Sequence, residues 1–131
     1  MPIRHPTPTP QKPAYRMSIR VDLSSGARIG PGKVALLEEI GRSGSISAAG
    51  RVLRMSYRRA WDLVEELNRA VGKPVVATST GGSGGGGANL TQEGEAIVAE
   101  YRAIEAASAA ASKRHLHALS RLCRSGADQD G

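Results

Sequence analysis

The sequence predicts a mainly α fold with a small β wing, and three observations carry that prediction. Apolar residues recur at helical spacing in several segments between Pro31 and His117. Two short strand-like runs, VVATST and ANL, flank a glycine-rich stretch. A period-two run, MSIRVDL, precedes them all. With 131 residues, 40% of them hydrophobic, the chain has room for one domain with a modest core. It holds no Phe and one Trp, so that core must be built mainly of Leu, Ile, Val and Ala.

Taken in order, residues 1–16 carry five of the seven prolines and almost nothing to bury, and read as a disordered arm. Met17, Ile19, Val21 and Leu23 alternate with Ser18, Arg20 and Asp22, as in a strand with one buried face. SSGARIG breaks it. Pro31 suits the first position of a helix, where its missing N–H costs nothing, and Val34, Leu36, Leu37 and Ile40 form the apolar stripe. Gly41 and Gly44 are expected to end this helix. Ser45 reads as the N-cap of a second, with Ile46, Ala49, Val52 and Leu53 inward. Ser56 caps a third, strongly amphipathic helix that gathers Ala60, Leu63, Val64, Leu67 and Val71 on one side. Arg58, Asp62, Glu65 and Arg69 lie opposite, and Gly72 and Pro74 stop it. After the two strand-like runs, Thr91 caps a last helix expected from about Gln92 to His117. Residues 118–131 read as a frayed helix end and flexible tail. Strand, three helices, strand, glycine tip, strand, long helix is the layout of a winged helix-turn-helix (residues 17–91) followed by a dimerisation helix (residues 92–117).

The formal net charge of +6 is unevenly placed: residues 1–80 carry 13 Lys/Arg against 6 Asp/Glu, and residues 81–131 carry 5 against 6. Between residues 43 and 60 the charges are Arg51, Arg54, Arg58 and Arg59, with no acid. Such a face suits a polyanion, nucleic acid above all; a solvated surface is the competing reading of a bare count. The position of the arginines favours DNA. In a helix-turn-helix the second helix enters the major groove and meets base edges with its N-terminal residues. Ser56, Tyr57, Arg58 and Arg59 occupy that end. Arg can bond guanine in bidentate fashion, and hydroxyls and a helix N-terminus can hold phosphates. Trp61 reads as packing.

TSTGGSGGGGANL, residues 78–90, holds six of the 16 glycines and admits three roles. A phosphate cradle would need a Lys after the glycines and a helix directly following, and neither is present. A linker fits the composition, but the strand-like flanks favour the tip of a hairpin that approaches another surface closely. The candidate DNA contacts are therefore Ser45, Ser47, Arg54, Ser56, Tyr57, Arg58, Arg59 and Asp62, with Thr80, Gly81, Gly82, Ser83 and Gly84 on the wing.

Along the last helix Ile97, Tyr101, Ile104, Ser108, Ala111 and His115 repeat at spacings of four and three. A helix of ~25 residues extends ~37 Å, more than a small domain covers, so this seam is assigned to a second copy of the chain. Other chemistry finds little support. No run approaches the ~18 apolar residues of a membrane span, and the N-terminal residues lack the apolar centre of a secretory signal. Cys123, the single cysteine, has no internal disulfide partner. His115 and His117, two apart on a helix, point to different sides. The expectation is a cytoplasmic protein that is not an enzyme and uses no metal or cofactor.

The run SGSISAAGRVLRMSYRRAWDLVEELN, followed by ATSTGGSGGGGANLTQEG, resembles the N-terminal DNA-binding domain of ModE, the family of molybdate-responsive transcriptional regulators. Its first part alone would resemble the wider LysR type of helix-turn-helix. The resemblance covers roughly residues 17–115. It implies a dimeric regulator of molybdate uptake or molybdoenzyme genes that binds an inverted-repeat operator in double-stranded DNA. Ending at Gly131, the chain is expected to lack the family's molybdate-binding domains, so no direct molybdate site is expected. The alternative is a protein-interaction module on the same scaffold, with the basic face on an acidic partner.

Overall fold

A computed structural model describes residues 14–79 and 87–123. They contain β1 (Val21–Asp22), β2 (Arg28–Ile29), α1 (Pro31–Ser43), α2 (Ile46–Val52), α3 (Tyr57–Val71), β3 (Val76–Ser79), β4 (Gly87–Leu90) and α4 (Gln92–Leu122). The strands form two separate two-stranded antiparallel sheets, β1–β2 and β3–β4. The chain divides into two compact units, residues 18–108 and a second drawn from the segments before and after them.

The core lies in the first unit. Leu36, Leu37 and Ile40 from α1, Ile46 and Ala49 from α2, and Ala60, Val64 and Leu67 from α3 are buried together, with Val75, Val76 and Ala88 of the wing. The start of the third helix and its stop fall where local chemistry puts them. Ser56 Oγ accepts from Arg59 N–H at 3.0 Å, and Gly72 closes the helix in the left-handed conformation (φ 80°). Gly44 ends α1 the same way (φ 71°), one residue past the helix; Gly41 stays inside it.

Three expectations need correction. The single strand over residues 17–23 is instead a short hairpin. Leu23 N–H bonds the Ala27 carbonyl at 2.8 Å across a turn with Gly26 at φ 95°, so part of SSGARIG is the second strand. Val52, placed on the inner stripe of α2, is 61% exposed. Its place on the packed face is taken by Gly50, where a Cβ would sit 3.2 Å from the Met55 carbonyl and 3.8 Å from Ala60. Val71, in the last turn of α3, is 38% exposed and outside the core. In addition, α4 continues past His117 to Leu122.

Three hydrogen bonds fix the wing to the helices. Ala88 N–H donates to the Gly44 carbonyl (2.9 Å), Val75 N–H to Asn68 Oδ1 (2.8 Å), and the Thr91 hydroxyl to the Pro74 carbonyl (2.7 Å). Thr91 Oγ1 also accepts from Gly94 N–H, capping α4 as its sequence predicts.

In the second unit Tyr15, at the inner edge of the proline-rich arm, packs edge-on against His117 at 5.4 Å, and Ser112 Oγ donates to Met17 Sδ at 3.8 Å. No described helix is long and apolar enough to cross a membrane.

Candidate nucleic-acid interface

Helices α2 and α3 meet through a four-residue turn, Leu53 to Ser56. Met55 N–H bonds the Gly50 carbonyl at 2.9 Å, which draws the turn back against α2 where Gly50 leaves room. Arg54 within this turn has φ 58°, the only non-glycine residue with positive φ among those described. A side chain in that conformation costs on the order of 1 kcal/mol or more. Arg54 itself is exposed, two residues before Ser56.

The predicted contacts fall into distinct groups. Ser45 and Ser56 both serve as N-caps, Ser45 Oγ accepting from Ala48 N–H at 3.0 Å. Each hydroxyl still has a proton to donate. Ser47 Oγ accepts from Arg51 Nη1 at 3.1 Å. Tyr57 is 59% exposed and meets Trp61 edge-on, with centroids 6.3 Å apart. Trp61 is half-buried against the core, the packing role its spacing predicts. Arg58, Arg59 and Asp62 are exposed, and neither arginine joins an ion pair among the described residues. Glu66, about two turns beyond Arg59, has its carboxyl held below its ordinary value. Lys33, bonded to it at 2.9 Å, is the main cause, and the fields of Arg59 and Arg69 add to it.

The wing base faces this surface. β3 and β4 pair Thr78 with Ala88 and Ser79 with Gly87, and Gly87 N–H donates to Ser79 Oγ at 3.3 Å. Between wing and helices lies a cleft of 350 Å³, lined by Ser45, Ser47, Tyr57 and Trp61 from the helical side and by Thr78, Ser79 and Gly87 from the wing. The fold thus brings Ser45, Ser47 and Tyr57 to one cleft. Thr78, Ser79 and Gly87 join them although sequence reasoning did not single them out. Strand alternation alone could not find them, because only the pairing register says which residues face the helices. Thr80, Gly81, Gly82, Ser83 and Gly84 lie outside the described residues.

A second surface concerns the seam on α4. Ile97 and Ile104 line an apolar groove of 290 Å³, together with Val21, Leu23 and Ile29 of the β1–β2 hairpin. Leu23 and Ile104 are 48% and 40% exposed. Tyr101 lines it too but is 2% exposed, its hydroxyl donating to the Ile19 carbonyl at 2.7 Å, so it is largely buried by its own chain. Beside it Arg102 bonds both oxygens of Glu38 (2.5 and 3.0 Å) and also Glu105. The Arg102 bond holds the Glu38 carboxyl below its ordinary value. Beyond His115 the seam runs on to Leu119 and Leu122, 56% and 82% exposed.

Residues 32–95, which hold α2, the turn, α3 and both wing strands, match the family model of the bacterial regulatory helix-turn-helix proteins of the LysR family. Over these residues the chain is similar to a LysR-type regulatory helix-turn-helix. Within that type it is similar to proteins named for molybdenum. The molybdenum-pterin-binding protein MopB of Rhodobacter capsulatus is 54% identical over 82 residues, 63% of this chain and 30% of that protein. The molybdenum transport protein ModE of Azotobacter vinelandii is 42% identical over 90 residues, 69% of this chain and 33% of its own length. The DNA-binding transcriptional dual regulator ModE of Escherichia coli K12 is 41% identical over 71 residues, 54% and 27% respectively. The chain thus spans about a third of the length of these relatives. The LysR-type domain ends at the first turn of α4, so the seam lies beyond it.

Proposed function

We propose that the chain is a dimeric, sequence-specific DNA-binding regulator of transcription, acting on genes of molybdate transport or of molybdoenzymes. One observation carries the DNA reading: Arg58 and Arg59 stand exposed, and outside any ion pair among the described residues, at the capped N-terminus of a LysR-type recognition helix. A free guanidinium there can bond guanine edges in the major groove, while the orphan amides of the first turn and the Ser56 and Tyr57 hydroxyls hold phosphates. The wing base across the cleft supports a second contact along the backbone or in the minor groove. The link to molybdenum comes from relatives named for it, over about a third of their length. Regulators of this kind bind rather than turn over their ligand, and no catalytic role is proposed.

Two copies are proposed to meet through the open groove of Val21, Leu23, Ile97 and Ile104 and along the seam from Ser108 through Ala111 and His115 to Leu122. Exposed Leu and Ile at four-and-three spacing gain stability only when covered.

Genome-wide mapping of bound DNA, read against neighbouring genes, identifies the operator. Competition between that fragment and generic duplex then tests discrimination. The chain should prefer its fragment by a factor of ~1,000 or more. Arg58→Ala and Arg59→Ala should each weaken specific binding by ~1–3 kcal/mol if they read bases. Equal competition by generic duplex would instead favour an interaction module with an acidic partner.

A further inference from the structure

The far end of α4 carries a second basic surface. After Glu105 no Asp or Glu occurs before Asp128, while Lys113, Arg114 and Arg121 lie on the helix. All three are exposed, as is His117, and none of the cations joins an ion pair among the described residues. The helix dipole accounts for Arg121 alone, in the last turn. Its effect fades within one turn of the end, and Lys113 and Arg114 sit more than two turns before Leu122.

The geometry of the helix says which way this surface faces. At ~100° per residue, Lys113, His117, Arg121 and Arg114 fall within an arc of about 100°. Ala111, His115, Leu119 and Leu122 fall within an arc of about 80° on the other side. A second copy seated on the apolar seam would therefore leave the basic stripe in solvent. Its charge is not neutralised by its own helix, and the seam contact would not neutralise it.

We infer that Lys113, Arg114 and Arg121 bind the phosphate backbone of duplex DNA, a second contact remote in sequence from the recognition helix. From Lys113 to Arg121 the axis rises ~12 Å, matching about three phosphates on one strand. Duplex DNA is the favoured polyanion because the recognition helix of the same chain would hold it nearby at high effective concentration. The inference rests on the DNA reading above.

The test compares the full-length wild type with a triple variant, Lys113→Gln, Arg114→Gln, Arg121→Gln. Binding to the mapped fragment and to generic 30-base-pair duplex is measured over a salt series. The slope of log affinity against log salt should become shallower by about 2–3 per chain, on both duplexes alike, with discrimination unchanged within about twofold. A charge-retaining variant, Lys113→Arg, Arg114→Lys, Arg121→Lys, should keep the wild-type slope. Circular dichroism and sedimentation should match wild type for both. An unchanged slope in the Gln variant overturns the inference and leaves the stripe to an acidic protein or to solvent. So does an equal loss in the charge-retaining variant, which would mean that side-chain shape matters and charge does not. If the wild type itself binds neither duplex, the DNA reading falls as well.

Discussion

Arg54 joins the costs of the fold to its proposed use at the scale of a single residue. Its backbone is held at φ 58°, a conformation that glycine adopts freely and that a residue with a Cβ resists. The adjacent hydrogen bond from Met55 to Gly50 leaves the turn little choice. Arg54→Gly should therefore raise the stability of the folded domain by about 0.5–1 kcal/mol in urea unfolding. The same change should weaken DNA binding and reduce its salt slope by about 1, because one phosphate-directed cation is gone. A variant that is less stable, or that binds as well as wild type, would remove the reason offered here for an arginine in this turn. The serines illustrate a different point: Ser45 and Ser56 are helix caps whatever else they touch, so their loss would act on stability and binding together.

At the scale of elements, the wing, α3 and α4 are held in place by close approaches as much as by apolar contact. Gly94, in the first turn of α4, lies so near the Val75 carbonyl that a methyl group there would collide with it. Thr91 N–H bonds that same carbonyl, and the Thr91 hydroxyl bonds Pro74, so the strand cannot step aside without losing two hydrogen bonds. Gly94→Ala should cost about 1–3 kcal/mol despite the better helix propensity of alanine, measured as a lower urea midpoint. A second junction joins α1 to α4 through Glu38 and Arg102. Arg102 lowers the folded pKa of Glu38, so the pair contributes stability above the carboxyl's ordinary value of 4.5 and loses it as pH falls through the lower folded value. Glu66, lowered by Lys33, acts in the same direction. The thermal midpoint should thus drop below about pH 4.5, and Arg102→Gln should make the drop smaller. An identical pH profile in that variant would show that the pair is too well solvated to matter.

For the whole molecule, the decisive contact is proposed to lie between two copies. Ile104 is 40% exposed on the rim of the apolar groove, where the hairpin and α4 come together. Ile104→Asp would set a charge where the partner's apolar surface should sit, at a cost of several kcal/mol if buried without a partner. Sedimentation should then give monomers at micromolar concentration, while circular dichroism keeps the helix content of wild type. Operator affinity should fall steeply, since each head alone makes few contacts. Two-fold symmetry in the protein implies an inverted repeat in the operator, with half-site centres ~34 Å apart or a multiple of that. A wild type that already sediments as a monomer would rule this assembly out.

The helices and their ends were legible in the sequence because they are decided locally. Pro31, Ser45, Ser56, Gly72 and Thr91 act on backbone groups within a few residues of themselves, and a stripe at helical spacing needs only its own helix to be recognised. The basic head of α3 was legible for the same reason, since no acid stands between residue 43 and Asp62. What escaped depends on contacts between distant segments. The β1–β2 hairpin consists of two pairs of residues, Val21 with Ile29 and Asp22 with Arg28, too short for any period to register. Val52 carries the right side chain for the core, yet faces outward because α2 packs on the side where Gly50 permits close approach. Thr78 and Ser79 enter the cleft through their pairing with β4, and Leu23 reaches the groove of α4 only because the hairpin folds back beside it. The propensities of the chain thus determined its helices, while the packing of one segment on another decided which surfaces were left open to bind.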